Sequence, residues 1–228
     1  SARVGYTLDV TRGDEVWNSS QVWYMPFDDM DDPVTDEISM WPWREAYYTI
    51  NVCNFILSRT TGDDASLSES MKRIKGQALF LRGYSYYTLA GYYQNPALIT
   101  DYANYSSLDG LYGKNSTYDD VLDQVEKDFS EAMTLLPSRD EGGEWAKGRA
   151  TCGAAAGYYA RTLMQRHKYS DALAVLKDIM NKKYGSYKLM ANYGDNFREG
   201  SAYENNAESL FEIQYLDYGS QGVDDEWT

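Results

Sequence analysis

The sequence predicts an all-α-dominated fold of helical hairpins with long loops and one short β-strand near the C-terminal end. Three observations carry this. From Ser68 towards Thr100, Met71, Ile74, Ala78, Leu81, Ser85, Leu89 and Tyr92 recur at steps of three and four, the signature of one long helix. Between Thr151 and Lys183 two helical patterns follow each other after only a few residues, which forces an antiparallel hairpin. Alternation with a period of two becomes clear only at Glu208–Tyr215, where Leu210, Glu212 and Gln214 oppose Phe211, Ile213 and Tyr215.

The elements follow in order. Residues 1–36 lack periodicity and read as a loop-rich segment, with Trp17, Trp23 and Tyr24 among Gly, Asp, Asn and Ser. A first helix spans 43–58, with Ala46, Ile50, Cys53 and Leu57 as its stripe and Pro42 suited to its first turn. Ser66 with Glu69 resembles a capping box for the long helix, and Asn95-Pro96 stops it. Residues 95–115 form a loop rich in Tyr, Asn and Ser. Ser116 or Thr117 caps a third helix with Val121, Val125, Phe129, Ala132 and Leu136 on its stripe, ended by Pro137. The first helix of the later pair, Thr151–His167, is small-sided, with Ala154, Ala155, Ala156, Gly157 and Ala160. Its partner starts at Ser170. The run Ala160-Arg-x-Leu163, then Tyr169-x-x-Ala172-Leu173, matches the middle of a tetratricopeptide (TPR) repeat, with Tyr169 filling the turn and Ala172 allowing close packing.

Composition restricts function. The formal net charge of −14 disfavours nucleic acid and anionic ligands and suits neutral ones such as sugars. The 22 Tyr and 6 Trp exceed what a helical core needs and point to recognition surfaces or wide helix seams. Cys53 and Cys152 lie on helical stripes and read as buried small residues rather than a disulfide. No apolar run reaches the length of a membrane span. His167 is the only histidine, so neither a transition-metal site nor a Ser-His-Asp triad has a basis.

Several segments, in order, resemble the SusD/RagB-like nutrient-binding lipoproteins of the Bacteroidetes outer membrane. They are Trp41-Pro-Trp43 with Ile50-Asn-x-x-Asn54; Lys75-Gly-Gln-Ala-Leu-Phe-Leu-Arg82 ending in Asn95-Pro-Ala-Leu-Ile-Thr100; and Tyr118-x-x-Val121 through Asp128-Phe129 to Leu136-Pro137. Gly148-Arg-Ala-Thr151, Tyr187-x-Leu189, Tyr193-x-x-x-Phe197 and Ala207–Tyr215 complete the series. The resemblance implies three regions: a loop-rich 1–36 contributing to the ligand face, a TPR-bearing 37–200, and a strand and loop at 201–228 leading into an absent C-terminal half. It also implies a non-enzymatic surface protein, anchored by an N-terminal lipid that lies outside this chain. Such a protein captures glycans, or in some members peptides, for a SusC-like TonB-dependent transporter.

The family's aromatic platform would correspond to Asp14, Trp17, Asn18, Trp23 and Tyr24, together with Tyr218 and Trp227 from the C-terminal loop. Indole and phenol faces stack on the CH-rich face of a sugar ring, and Asp14 and Asn18 take its hydroxyls. The competing reading is that these rings plug a helix seam. Trp41 and Trp43 fit core packing better, as do most of Tyr84, Tyr86, Tyr87, Tyr92 and Tyr93, though five tyrosines on one helix cannot all face inward. The acidic runs Asp28–Asp32 and Asp224–Glu226 lack the spacing of a calcium loop and read as solvated faces, so no cofactor is expected. Peptide capture on the same scaffold and a plain TPR adaptor are the alternatives, with a glycoside hydrolase more distant.

Overall fold

The computed structural model describes residues 10, 11, 13, 25–29, 31, 37–198, 200 and 202–214. The chain divides into two compact units, residues 1–48 with 215–228, and residues 49–214. In the first, the described residues comprise a single turn, Met25–Asp28, and the start of helix α1, Glu37–Arg59. Trp41 and Trp43 are half-buried there rather than enclosed, and Trp43 packs on Tyr47 at 4.9 Å. Helix α1 begins ahead of Pro42, which therefore lies inside it. The missing proline N–H falls where the acceptor would be a first-turn carbonyl, so the interruption is confined to the helix start.

The second unit is a succession of antiparallel helices: α2 (Glu69–Tyr93), α3 (Tyr118–Leu135), α4 (Cys152–Gln165) and α5 (Tyr169–Met180). Each packs on the next. Helix α2 starts at an N-cap on Ser68, whose hydroxyl accepts from the Met71 N–H, rather than on Ser66. Ser66 instead closes a 3-10 turn capped by Asp63. At 1.5 Å per residue, the 25 residues of α2 span about 38 Å.

The expected α2 stripe holds only in part. Ala78, Ser85 and Leu89 are buried, whereas Ile74 is 47% and Leu81 38% exposed. A second line, Gly76, Leu79, Phe80, Gly83, Tyr86 and Ala90, carries the close packing. A Cβ on Gly76 would come within 2.8 Å of Leu136, and one on Gly83 within 3.2 Å of Asp128. Hydrophobic periodicity cannot register glycines that serve as points of close approach.

Helix α3 behaves as its sequence predicts. Thr117 and Asp120 form a reciprocal capping box, and Val121, Val125, Phe129 and Ala132 are fully buried. Phe129 joins Phe80, Tyr158 and Phe211 in an aromatic core, with centroids 5.0–5.7 Å apart. Phe80 and Phe129, both fully buried, each contribute roughly 1.5–3 kcal/mol by burial. The α4–α5 hairpin has the expected small face: Ala154, Ala155, Ala156, Ala160 and Ala172 are buried. Tyr169 does not fill the turn; it is 59% exposed and its hydroxyl meets His167 Nδ1 at 2.7 Å. His167 takes a left-handed φ of 58°, and the tight reversal leaves the wedge position to Ala172. Both cysteines are buried and free.

The expected strand is not formed over 208–214, which is irregular, with bends at 208 and 210 and no ladder; the described residues contain only an isolated bridge, Ala97 to Asn115. The stretch 205–209, which overlaps it, bonds differently. Arg139 donates to the carbonyls of Asn205, Asn206 and Ser209, so a guanidinium takes the acceptors a neighbouring strand would use. Phe211 packs on Phe80 at 5.0 Å, but Ile213, expected on the same face, is 55% exposed, so the alternation does not sort the side chains into two faces.

Candidate ligand-binding site

The residues expected to form the platform, Asp14, Trp17, Asn18, Trp23, Tyr24, Tyr218 and Trp227, lie outside the described residues. So do Asp32 and the whole of Asp224–Glu226; Asp29 and Asp31 are exposed. The described helices nevertheless show how the scaffold holds its loops. At its centre, Arg82 on α2 donates from Nε and Nη2 to the two carboxylate oxygens of Asp128 on α3, at 2.9 and 2.6 Å. Arg82 Nη1 donates to Asn54 Oδ1 on α1 at 2.8 Å and to the Thr100 carbonyl at 3.2 Å. Gln124 adds a third bond to Asp128 at 2.8 Å. Burial pushes the Asp128 carboxyl upward, and the Arg82 hydrogen bonds pull against it. Burial opposes the Arg82 charge, and its bonds to Asp128 overcome that, leaving the guanidinium raised.

This cluster grips the loop that follows α2. Asn54 Nδ2 donates to the Ile99 carbonyl at 2.6 Å, and the buried Tyr86 hydroxyl donates to that carbonyl and accepts from the Ile99 N–H, at 3.0 and 2.8 Å. Two helices, α1 and α2, therefore fix two residues of one loop, and α3 orients Arg82 through Asp128. Sequence reasoning named Asn54, Arg82, Ile99, Thr100 and Asp128 only as pieces of a resemblance; their mutual contact was not read. One signal was present. Asp128 follows Val125 by three residues on the stripe that becomes buried, and a charge there demands a partner.

Other segments of the resemblance meet in the same way. The Gln77 amide pairs with the Ala150 backbone through two bonds of 2.6 and 3.1 Å. Tyr187 sits where Gly153 has no side chain, and its hydroxyl is 3.3 Å from Thr151 Oγ1. A cleft of about 240 Å³ is lined by Arg139, Lys147, Gly148, Arg149, Asn205 and Glu212, among others. Its charges are largely satisfied internally. Lys147 pairs with Glu144 at 2.7 Å, Arg149 donates to the Trp145 carbonyl, and Glu212 accepts from the Asn205 N–H. The cleft is thus chiefly a junction tying the 203–212 segment to the helices.

Of the α2 tyrosines, Tyr86 alone is fully buried. Tyr84 and Tyr87 pack edge-on against Tyr158 at 5.4 and 5.9 Å, and Tyr92 packs on Tyr93 at 6.3 Å. Seam packing therefore accounts for Tyr84 and Tyr87. Among the described residues no cluster of three or more His, Cys, Asp or Glu could hold a metal, and no helix is long and apolar enough to cross a membrane.

Stacked antiparallel helices, pinned at a buried Arg–Asp pair and carrying long loops, define a TPR-type scaffold protein. The chain belongs to the SusD-like family: the family described as "Starch-binding associating with outer membrane" matches residues 5–164. Solved structures agree in fold. A SusD superfamily protein from Bacteroides vulgatus superposes with a TM-score of 0.80 at 24% identity, covering 92% of this chain and 44% of its own. A SusD-like carbohydrate-binding protein from Bacteroides fragilis gives 0.74 at 25% identity, covering 94% and 40%. Surface glycan-binding protein A from Bacteroides thetaiotaomicron, in complex with laminarihexaose, gives 0.74 at 21% identity, covering 92% and 43%. The chain thus spans less than half the length of these structures. No functionally curated protein matches it.

Proposed function

We propose that this chain is the scaffold-bearing part of a cell-surface protein that captures an oligo- or polysaccharide and delivers it to a SusC-like TonB-dependent transporter. The observation that carries the reading is the match of residues 5–164 to a family described as starch-binding. The fold shared with a protein solved in complex with laminarihexaose supports it. The chemistry is non-covalent and needs no cofactor. Trp17, Trp23, Tyr24, Tyr218 and Trp227 offer ring faces, and Asp14 and Asn18 take hydroxyls. An N-terminal lipid holds the protein at the outer membrane, exposed to the medium.

Isothermal titration calorimetry against a panel of α- and β-glucans tests this. The expected result is modest-affinity binding to at least one glucan, unaltered by EDTA and without sugar release. Trp17→Ala is expected to weaken it by about 1–3 kcal/mol. Absence of binding across the panel would overturn the reading.

A further inference from the structure

We propose that the loop between α2 and α3 carries a second glycan-contact surface, with Tyr102 as its stacking ring. The inference rests on the glycan-binding reading and adds to it a place independent of Trp17. The connection is long, residues 94–117, and surface connections held by a rigid scaffold are where contact residues concentrate. This one is built at every level. Its base is closed by the Ala97–Asn115 bridge and by bonds from the Ser116 N–H to the Pro96 carbonyl and from Leu98 N–H to Ser116 Oγ. Its rise is held at Ile99 and Thr100 by Asn54, Tyr86 and Arg82. Its tip is a 3-10 turn, Tyr102–Ser106, capped by Asp101 and packed against the short helix Leu108–Leu111.

The tip presents linked rings. Tyr102 meets Phe55 edge-on at 5.2 Å and Tyr105 at 5.7 Å. Arg59 lies over the Phe55 ring at 5.3 Å and that ring is itself 43% exposed, so it extends the apolar face beside Tyr102, while Tyr105, with its hydroxyl buried, backs the pair. Tyr102 stays 38% exposed, with Asp101 and Asn104 beside it on the same turn. The Asp101 carboxylate already accepts from the Ala103 N–H and has acceptor capacity left for a hydroxyl. A fixed ring flanked by a carboxylate and an amide suits a neutral, polyhydroxylated chain. An anionic ligand would meet Asp101 on a protein of net charge −14.

The test uses the whole 228-residue chain. Calorimetry against laminarin and soluble starch compares wild type, Tyr102→Ala, Tyr102→Phe and Trp17→Ala. Tyr102→Ala is expected to weaken polysaccharide binding roughly three- to tenfold, with Tyr102→Phe within about twofold of wild type. Undiminished affinity in a folded Tyr102→Ala protein, alongside a loss in Trp17→Ala, overturns the second surface and leaves the glycan reading standing. No binding by wild type overturns both. Hydroxyl-radical footprinting of the wild-type protein gives a readout that needs no variant to fold: laminarin or starch is expected to protect Tyr102, and unchanged labelling at saturating ligand overturns the proposal.

Discussion

Arg82 and Asp128 each give up hydration to meet inside the helix stack, and that exchange succeeds only because their hydrogen bonds are so fully met. Removing one partner leaves a buried charge. Arg82→Ala or Asp128→Ala is therefore expected to lose about 3–5 kcal/mol, read as a lower midpoint in urea unfolding. Arg82→Lys should rescue little, since a single ammonium cannot reproduce a fork that serves Asp128, Asn54 and Thr100 together. The cysteines behave in the opposite sense. Burial pushes the Cys53 thiol up to about 12 and the Cys152 thiol up to about 11, from 9.0 in both cases. The folded state holds them protonated, so their contribution is intact below pH 9 and is lost as pH rises through 9 towards those values. Native protein at pH 8 is expected to react slowly with a thiol reagent, and denatured protein promptly at both sites.

Helices α2 and α3 show where local signals suffice and where they do not. The sequence places the α3 cap at Ser116 or Thr117, because a cap is settled within one turn, and the structure selects Thr117 with Asp120 as its reciprocal partner. Thr117→Ala is expected to cost about 1 kcal/mol in thermal or urea unfolding. The contact face of α2 was not written there, because it depends on which neighbour arrives. Gly76 is a point of contact with Leu136, whose side chain is itself buried. Gly76→Ala is expected to destabilise by about 1–3 kcal/mol through overpacking, although alanine favours helix. An unchanged midpoint would show that Leu136 can withdraw. The strand expectation failed for a related reason. Phe211 reaches Phe80 while Ile213 of the same expected face is exposed; a ladder needs a partner backbone, and at 205–209 the carbonyls meet the Arg139 guanidinium instead.

For the whole molecule, the charge of −14 and the proposed neutral ligand give a simple expectation. Glucan affinity should change less than about twofold between low and high salt, because stacking and hydroxyl bonds are not screened as ion pairs are. A steep loss with added salt would instead favour a cationic ligand such as a basic peptide. The succession from α2 to α5 supplies rigidity, and the loops supply contact. The α5 stripe Tyr169, Leu173, Leu176 and Met180 remains exposed in this chain.

Spacing within a few turns sets the helical class, the α3 start near Ser116 or Thr117 and its stripe, the short α4–α5 hairpin and the burial of both cysteines. The ordered motifs also carried the family. Packing of the helices settles that Asn54, Arg82 and Tyr86 converge on Ile99 and Thr100, with Asp128 holding Arg82, and that Tyr102 stands on Phe55 at the tip of the loop they hold. Those contacts join residues between 13 and 47 positions apart. Local spacing records nothing about partners that distant, because which side chains meet is fixed only when the helices pack.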